Sequence, residues 1–211
     1  MLKKFPSEPL SMEMSDAVRK MAFMAEHRDP NIINHMDRMR GYSLIMASNL
    51  GLSKQEADLV ANACLLHDVG KISLPEYLET KAENLSPQEW EITKKHTTFG
   101  AELLKDSSAA IFQTASLIAL THHERWNSSG YPQGLRGENI PLTGRICAVA
   151  DVFDALITHR PYKEEIPVAE AIQLIQNAGG ELFDPQVIKI FIMKIDDIIR
   201  VFLNNPQSGD L

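Results

Sequence analysis

The stretch Ser53-Lys54-Gln55-Glu56-Ala57-Asp58-Leu59-Val60-Ala61-Asn62-Ala63-Cys64-Leu65-Leu66-His67-Asp68-Val69-Gly70-Lys71 decides the fold class. Ser53 and Glu56, three residues apart, form a capping box, and Leu59, Val60, Ala63 and Leu66 follow at helical spacing. This predicts an amphipathic helix that ends near Gly70 and carries His67 in its last turns. The same period extends in both directions. Upstream, Ser15 caps a predicted helix bearing Val18, Met21, Ala22 and Met24 that stops near Arg28-Asp29-Pro30, and a second helix runs from Ile32 to Leu50, before Gly51. Downstream, residues 71–86 read as irregular. Ser86-Pro87 with Glu89 then opens a helix towards His96, and a break is expected near Gly100. Ile111, Ala115, Ile118 and Ala119 mark a helix that delivers His122 and His123 at its C-terminal end. The segment from Trp126 to Thr143 has the Gly, Pro and Asn content of a long functional loop. Helical spacing resumes from Gly144 to Thr158, and Pro167 and Asp184-Pro185 open two last helices. No alternating run makes a convincing sheet. The expectation is an all-α, single-domain helical bundle, with residues 1–25 a helical extension, 26–203 the main domain and 204–211 a flexible tail.

Composition narrows the partners. The 211 residues carry 21 Lys plus Arg against 28 Asp plus Glu, a formal charge of −7, with no basic run, which disfavours nucleic-acid polymers and anionic membrane surfaces. With 44% apolar residues the chain can bury a core without disulfides. Cys64 and Cys147 form no CxxC, so they read as buried free thiols of a reducing compartment, and a thiolate zinc site is excluded. No apolar run is long enough for a membrane span, and the start lacks the apolar segment of a signal peptide, so the cytoplasm is the expected location.

The seven histidines carry the functional signal. His67-Asp68 places an imidazole beside a carboxylate, a mixed donor set suited to iron, manganese, cobalt or zinc, although such a pair alone equally suits a hydrogen-bonded histidine at a helix end. His35, His96, His122, His123 and Asp151 stand at ends or polar edges of separate predicted helices, which a bundle can aim at one site. Adjacent helical residues point about 100° apart, so the His122-His123 doublet suits two metals better than one.

The ordered set H…HDxGK…H…HHE…GYP…D…RPYK resembles the HD-GYP subfamily of the HD-domain metallophosphohydrolases. The likeness runs from Glu26-His27-Arg28-Asp29 to Phe183-Asp184-Pro185. It includes Leu65-Leu66-His67-Asp68-Val69-Gly70-Lys71, Ile140-Pro141-Leu142, Ala150-Asp151-Val152-Phe153-Asp154-Ala155-Leu156 and Arg160-Pro161-Tyr162-Lys163. The resemblance implies that His35, His67, Asp68, His96, His122, His123 and Asp151 hold two divalent ions, iron or manganese first and zinc, cobalt or nickel otherwise, with Asp68 bridging them. Two ions roughly 3.5–4 Å apart can share a nucleophile and clamp a phosphodiester oxygen during in-line displacement. The resemblance also gives Lys71 a catalytic role at the leaving 3′-oxygen and makes Arg160 and Lys163 a phosphate-binding pair. Tyr131, in Gly130-Tyr131-Pro132, borders the substrate entrance or a protein partner's surface. Asp154, one turn beyond Asp151, is placed to orient Lys71 or a ligand histidine.

Two departures stand out. Where many members carry a glutamate four residues before the first ligand histidine, this chain has Asn31, which favours two ions over three. Asn127-Ser128 replace the usual Asp-Gly before the GYP residues, and losing that glycine is expected to disfavour a positive φ and to alter loop shape, and with it substrate fit or partner choice. The function implied is hydrolysis of cyclic di-GMP to linear pGpG and onward to GMP. The alternatives are hydrolysis of another cyclic nucleotide, or a metal-bearing sensor or partner-binding module. Only about 25 residues precede the likeness, too few for a sensory domain.

Overall fold

The computed structural model describes residues 10–81, 85–159 and 165–206. Its helices in chain order are α1 (Met12–Glu26), α2 (Ile32–Asn49), α3 (Lys54–Ala63), α4 (Glu76–Thr80), α5 (Pro87–Thr93), α6 (His96–Leu104), α7 (Ala110–Thr121), α8 (Leu142–Ile157), α9 (Val168–Asn177), α10 (Pro185–Met193) and α11 (Ile195–Asn204). Among the described residues there is no strand, only isolated bridges joining Asn127 to Arg136 and Gly179 to Phe183. The all-α expectation holds. No helix among the described residues is long and apolar enough to cross a membrane.

Local chemistry sets most helix starts. The Ser53 hydroxyl accepts from Glu56 N at 3.3 Å while Glu56 Oε2 accepts from Ser53 N at 2.8 Å. Ser86 and Glu89 repeat the reciprocal pair at 3.3 and 2.7 Å. Each such cap satisfies two backbone donors that would otherwise have no partner within the helix. Gly51 closes α2 at a φ of 87°, a left-handed conformation that costs glycine little.

Elsewhere the boundaries differ from expectation. The cap of α1 is Ser11, whose hydroxyl accepts from Met14 N at 3.2 Å; Ser15 instead donates to Asn62 Oδ1 at 3.2 Å, pinning α1 to α3. The α-helical part of α3 stops at Ala63, and 3₁₀ turns at Cys64–Leu66 and Val69–Ser73 follow, so His67 and Asp68 fall between two tight turns. The stretch expected to be irregular contains α4, which starts after Pro75. The break before the histidine doublet falls at Lys94-Lys95, and Gly100 lies inside α6. The last two expected helices are three, because the chain turns at Lys194 between α10 and α11.

The core forms where α2, α8 and α10 meet. Tyr42, Phe153 and Phe191 are fully buried, with Phe153 edge-on to Tyr42 at 5.4 Å and to Phe191 at 5.1 Å between ring centroids. Burying each ring is worth roughly 1.5–3 kcal/mol, so this ladder is a main tie between the three helices. α11 lies on α2 so closely that a Cβ at Gly41 would meet Val201 Cγ1 at 2.5 Å. Residues 205 and 206 are also tied to α2: Asn205 O accepts from Arg38 Nη1 at 2.9 Å and Pro206 O from Asn34 Nδ2 at 2.6 Å. The rest of the expected tail, 207–211, lies outside the described residues. Cys64 and Cys147 are both buried and free.

One close approach governs the site end of the bundle. A Cβ on Gly70 would lie 1.9 Å from His96 O and 2.5 Å from Gly100 N, both backbone atoms. Only a residue without a side chain lets the turn after Asp68 rest on the start of α6. Gly70→Ala is therefore expected to cost about 3 kcal/mol or more through overpacking. For a chain of this size that lowers the melting temperature by roughly 6–12 °C, read by circular dichroism on heating.

Candidate metal centre

Five helices and the turns between them converge at one end of the bundle. α1 ends in Glu26, α2 supplies His35, the turns after α3 supply His67, Asp68 and Lys71, α6 begins with His96, α7 runs into His122 and His123, and α8 carries Asp151 and Asp154. Donor atoms of Asp68, His96, His122 and His123 all lie within 4.8 Å of one another, and those of Glu26, His35 and His67 form a second such group. Asp68 joins the two groups. Its Oδ1 lies 3.2 Å from His96 Nε2 and 3.6 Å from His122 Nε2, and its Oδ2 lies 3.3 Å from His67 Nε2 and 2.5 Å from Lys71 Nζ. Asp151 Oδ1 is 3.8 Å from His67 Nε2.

The imidazoles are oriented from behind. His67 Nδ1 donates to Cys64 O at 2.9 Å, His96 Nδ1 to Thr93 O at 2.7 Å, and His122 Nδ1 to Ile118 O and Ala119 O at 3.1 Å each. A carbonyl can only accept, so Nδ1 carries a proton in all three rings and Nε2 is the atom that each turns towards the cluster. His35 reaches the same state through a side chain, donating from Nδ1 to Asp154 Oδ2 at 2.7 Å. Asp154 is in turn gripped by Arg38, Nε to Oδ1 at 2.6 Å and Nη2 to Oδ2 at 2.9 Å, with Asp154 and Arg38 both about 1% exposed. Of the two partners expected for Asp154, the structure gives it His35.

Charge in the cluster follows from burial and proximity. Burial opposes ionisation of Asp68, but Lys71 and His67 outweigh it and hold the carboxyl well below its usual range. Burial lowers His96 to about 4 and, together with His122, takes His123 well below its usual value, so both rings are neutral. His67 behaves oppositely: burial disfavours its charge, yet Asp68, Asp151 and Glu26 raise it to about 10. Lys71 likewise stays an ammonium despite burial, held by Asp68 and by Glu26, whose Oε2 is 2.9 Å from Nζ.

The donor set fits a divalent cation. His67 Nε2 and Asp68 Oδ1 are buried and make no hydrogen bond, a costly arrangement that coordination of a cation would relieve. Imidazole and carboxylate donors with their rear atoms already engaged are the usual architecture of iron, manganese and zinc sites. Both histidines of the doublet fall in the same group as Asp68, with ring centroids 4.0 Å apart. The two rings thus turn to one ligand group although the backbone is still helical at His122, with φ −67° and ψ −18°.

The glycine-rich loop folds back over His123. A Cβ at Gly130 would lie 2.4 Å from both Arg125 N and His123 O, and Tyr131 N donates to His123 O at 3.2 Å. Glu124, 2% exposed, braces the loop by accepting from Gln133 N at 2.7 Å and Leu135 N at 2.9 Å. The Tyr131 ring stacks on His123 with centroids 4.7 Å apart, and the Tyr131-Pro132 peptide is cis. Ser128 adopts a φ of 70°, so the left-handed conformation persists without the glycine, while Asn127 Oδ1 accepts from Ser129 N at 3.0 Å. Arg160 and Lys163 lie outside the described residues.

Glu26, Arg38 and Glu124 were not singled out from sequence. Glu26 stands nine residues before His35 and on another helix, and the only sign of it was that the motif series begins there. Arg38 lies one turn after His35 on α2, where an arginine ordinarily reads as a surface charge. The geometry makes Asp154 the support of His35. Asp154→Asn is expected to weaken divalent-metal binding 10–100-fold, measured by chelator competition. It should also lower unfolding free energy by about 3 kcal/mol in urea, because the buried Arg38 loses its anion.

The HD domain family model matches residues 12–187 of this chain. Among curated proteins, a cyclic di-GMP phosphodiesterase of Thermotoga maritima is 41% identical over 85% of this chain and 49% of its own length. The 3′3′-cGAMP-specific phosphodiesterase 2 of Vibrio cholerae is 37% identical over 91% of this chain and 37% of its own. The chain thus spans half or less of the length of these relatives. Among solved structures, an HDG"Y"P protein from Bdellovibrio bacteriovorus superposes with a TM-score of 0.64 at 24% identity, covering 87% of this chain and 63% of that one, a likeness of fold. With the matched residues spanning from α1 into α10, the chain belongs to the HD domain family.

Proposed function

We propose that this chain is a metal-dependent phosphodiesterase that opens cyclic di-GMP to the linear dinucleotide pGpG in the bacterial cytoplasm, using two divalent ions, iron or manganese. The observation that carries this reading is the convergence of Asp68, His96, His122 and His123 within 4.8 Å beside His35 and His67, with four of the rings hydrogen-bonded from behind. The names of the relatives, phosphodiesterases of cyclic di-GMP and of 3′3′-cGAMP, support the substrate class.

His96, His122 and His123 would hold one ion and His35, His67 and Asp151 the other, with Asp68 shared. Bound there, the pair of ions would activate water and offset the charge that builds on the phosphodiester oxygens. The protein supplies the remainder. Lys71, kept an ammonium by Asp68 and Glu26, is assigned the departing 3′-oxygen as a hydrogen-bond donor. In the net reaction water oxygen bonds to phosphorus, the P–O3′ bond breaks, and the product keeps a 5′-phosphate. Arg160 and Lys163 are assigned a non-bridging oxygen of the phosphodiester, which guanidinium recognises well. Glu26 is engaged by Lys71 and Asn31 offers only an amide, so two ions, not three, are assigned.

The test uses protein purified anaerobically and loaded with manganese or iron, incubated with cyclic di-GMP and separately with 3′3′-cGAMP, and its products chromatographed. Linear pGpG and about two ions per chain are expected; three ions would refute the binuclear assignment, and tight binding without products would refute hydrolysis. Asp68→Ala should remove both the bound metal and the turnover, and a variant that keeps both would overturn the bridging role.

A further inference from the structure

A ladder of rings leads out from the metal-ligand cluster. His123, in the group with Asp68, stacks on Tyr131 at 4.7 Å and an interplanar angle of 27°. Tyr131 then meets Trp90 of α5 edge-on, with centroids 5.9 Å apart at 80°. Lys94, one turn on from Trp90, sets its ammonium 5.7 Å from the Tyr131 ring centroid. Tyr131 is wedged between these groups, but Trp90 remains 45% exposed. The outermost ring of the ladder therefore keeps an open aromatic surface beside a cation.

Such an arrangement is poorly explained by packing alone. α5 buries none of its residues, so Trp90 does not anchor it in the core. The capping box and Lys81, which donates to Glu89 at 2.8 and 2.9 Å, stabilise that helix independently of the indole. What the indole does have is position, since it ends a path of ring contacts that begins at a candidate ligand.

We propose that Trp90, backed by Tyr131 and flanked by Lys94, stacks on a purine base of the cyclic dinucleotide and so determines preference for that substrate over smaller phosphodiesters. This rests on the hydrolase reading above. The chemistry is complementary: a phosphodiester at the ligand cluster leaves its attached nucleoside to extend outward, and every purine offers a flat π-face to an indole. Lys94 is already paired with Glu91 at 2.7 Å, so the indole's π-face, and not added charge, is what this subsite offers.

The experiment compares wild type, Trp90→Ala, Trp90→Phe and Phe99→Ala, an exposed aromatic of α6 outside the ladder, all loaded with manganese. Trp90→Ala is expected to raise KM for cyclic di-GMP about tenfold with kcat within about twofold, and Trp90→Phe to recover most of the loss. The kcat/KM preference for cyclic di-GMP over bis(p-nitrophenyl) phosphate, which has no purine, should fall by a similar factor. Phe99→Ala should keep the wild-type KM. Cyclic di-GMP should also quench tryptophan fluorescence in wild type, with the quench lost in Trp90→Phe. Turnover with an unchanged KM in Trp90→Ala and no quench would overturn the subsite and leave the hydrolase reading standing. A Trp90-dependent quench without hydrolysis would keep the subsite and remove the hydrolase reading, and absence of both binding and turnover would overturn the two together.

Discussion

A carboxylate buried among imidazoles is the constraint around which this bundle is arranged. An isolated ion there would be far too costly to bury, and Asp68 is tolerated because the Lys71 ammonium approaches to 2.5 Å and the charged His67 ring lies 3.3 Å away. The His96 and His122 rings turn Nε2 to the same carboxylate at 3.2 and 3.6 Å, so assembling the donor set means keeping α3, α6 and α7 in register. Glu26 adds the end of α1 by holding the far side of the Lys71 ammonium. Removing any one partner leaves the others as a charge imbalance inside the protein, which makes the site and the fold one cooperative problem.

Backbone proximity solves it. Gly70 lets the turn after Asp68 lie directly on the carbonyl of His96, and Gly130 brings the loop onto that of His123. At both positions the missing side chain matters through distance, since neither glycine has a positive φ. Glu124 then fixes the loop's return by capturing two of its amides, so the aromatic wall above the cluster is held by a buried anion of its own.

Much of this was legible in the amino-acid order because it is local. The capping boxes at Ser53 and Ser86, the stop at Gly51 and the proline starts of α5 and α10 depend on residues within a few positions of one another. The metal-ligand candidates were legible through the motif series. What escaped depends on contacts distant in sequence: Gly100 reads as a helix break until it is seen against Gly70, and Arg38 reads as a surface charge until Asp154, 116 residues on, closes over it. Glu26 and Glu124 look like ordinary acids for the same reason. The turn at Lys194 carries neither proline nor glycine, so nothing local announced that α10 and α11 are separate.

The hydrogen bonds behind the rings make the histidines unequal as donors. His67, His96 and His122 lean on neutral carbonyls no more than four residues away, an arrangement written into the backbone of their own turns. His35 leans on a carboxylate from another helix, itself polarised by a buried guanidinium. A ring that donates to an anion is the more electron-rich at its other nitrogen. The cluster is therefore electronically lopsided before any ion arrives. These four donors are also under different genetic control: three are tuned by local backbone shape, and the fourth can be adjusted by single side-chain changes at positions 38 and 154 without touching a ligand.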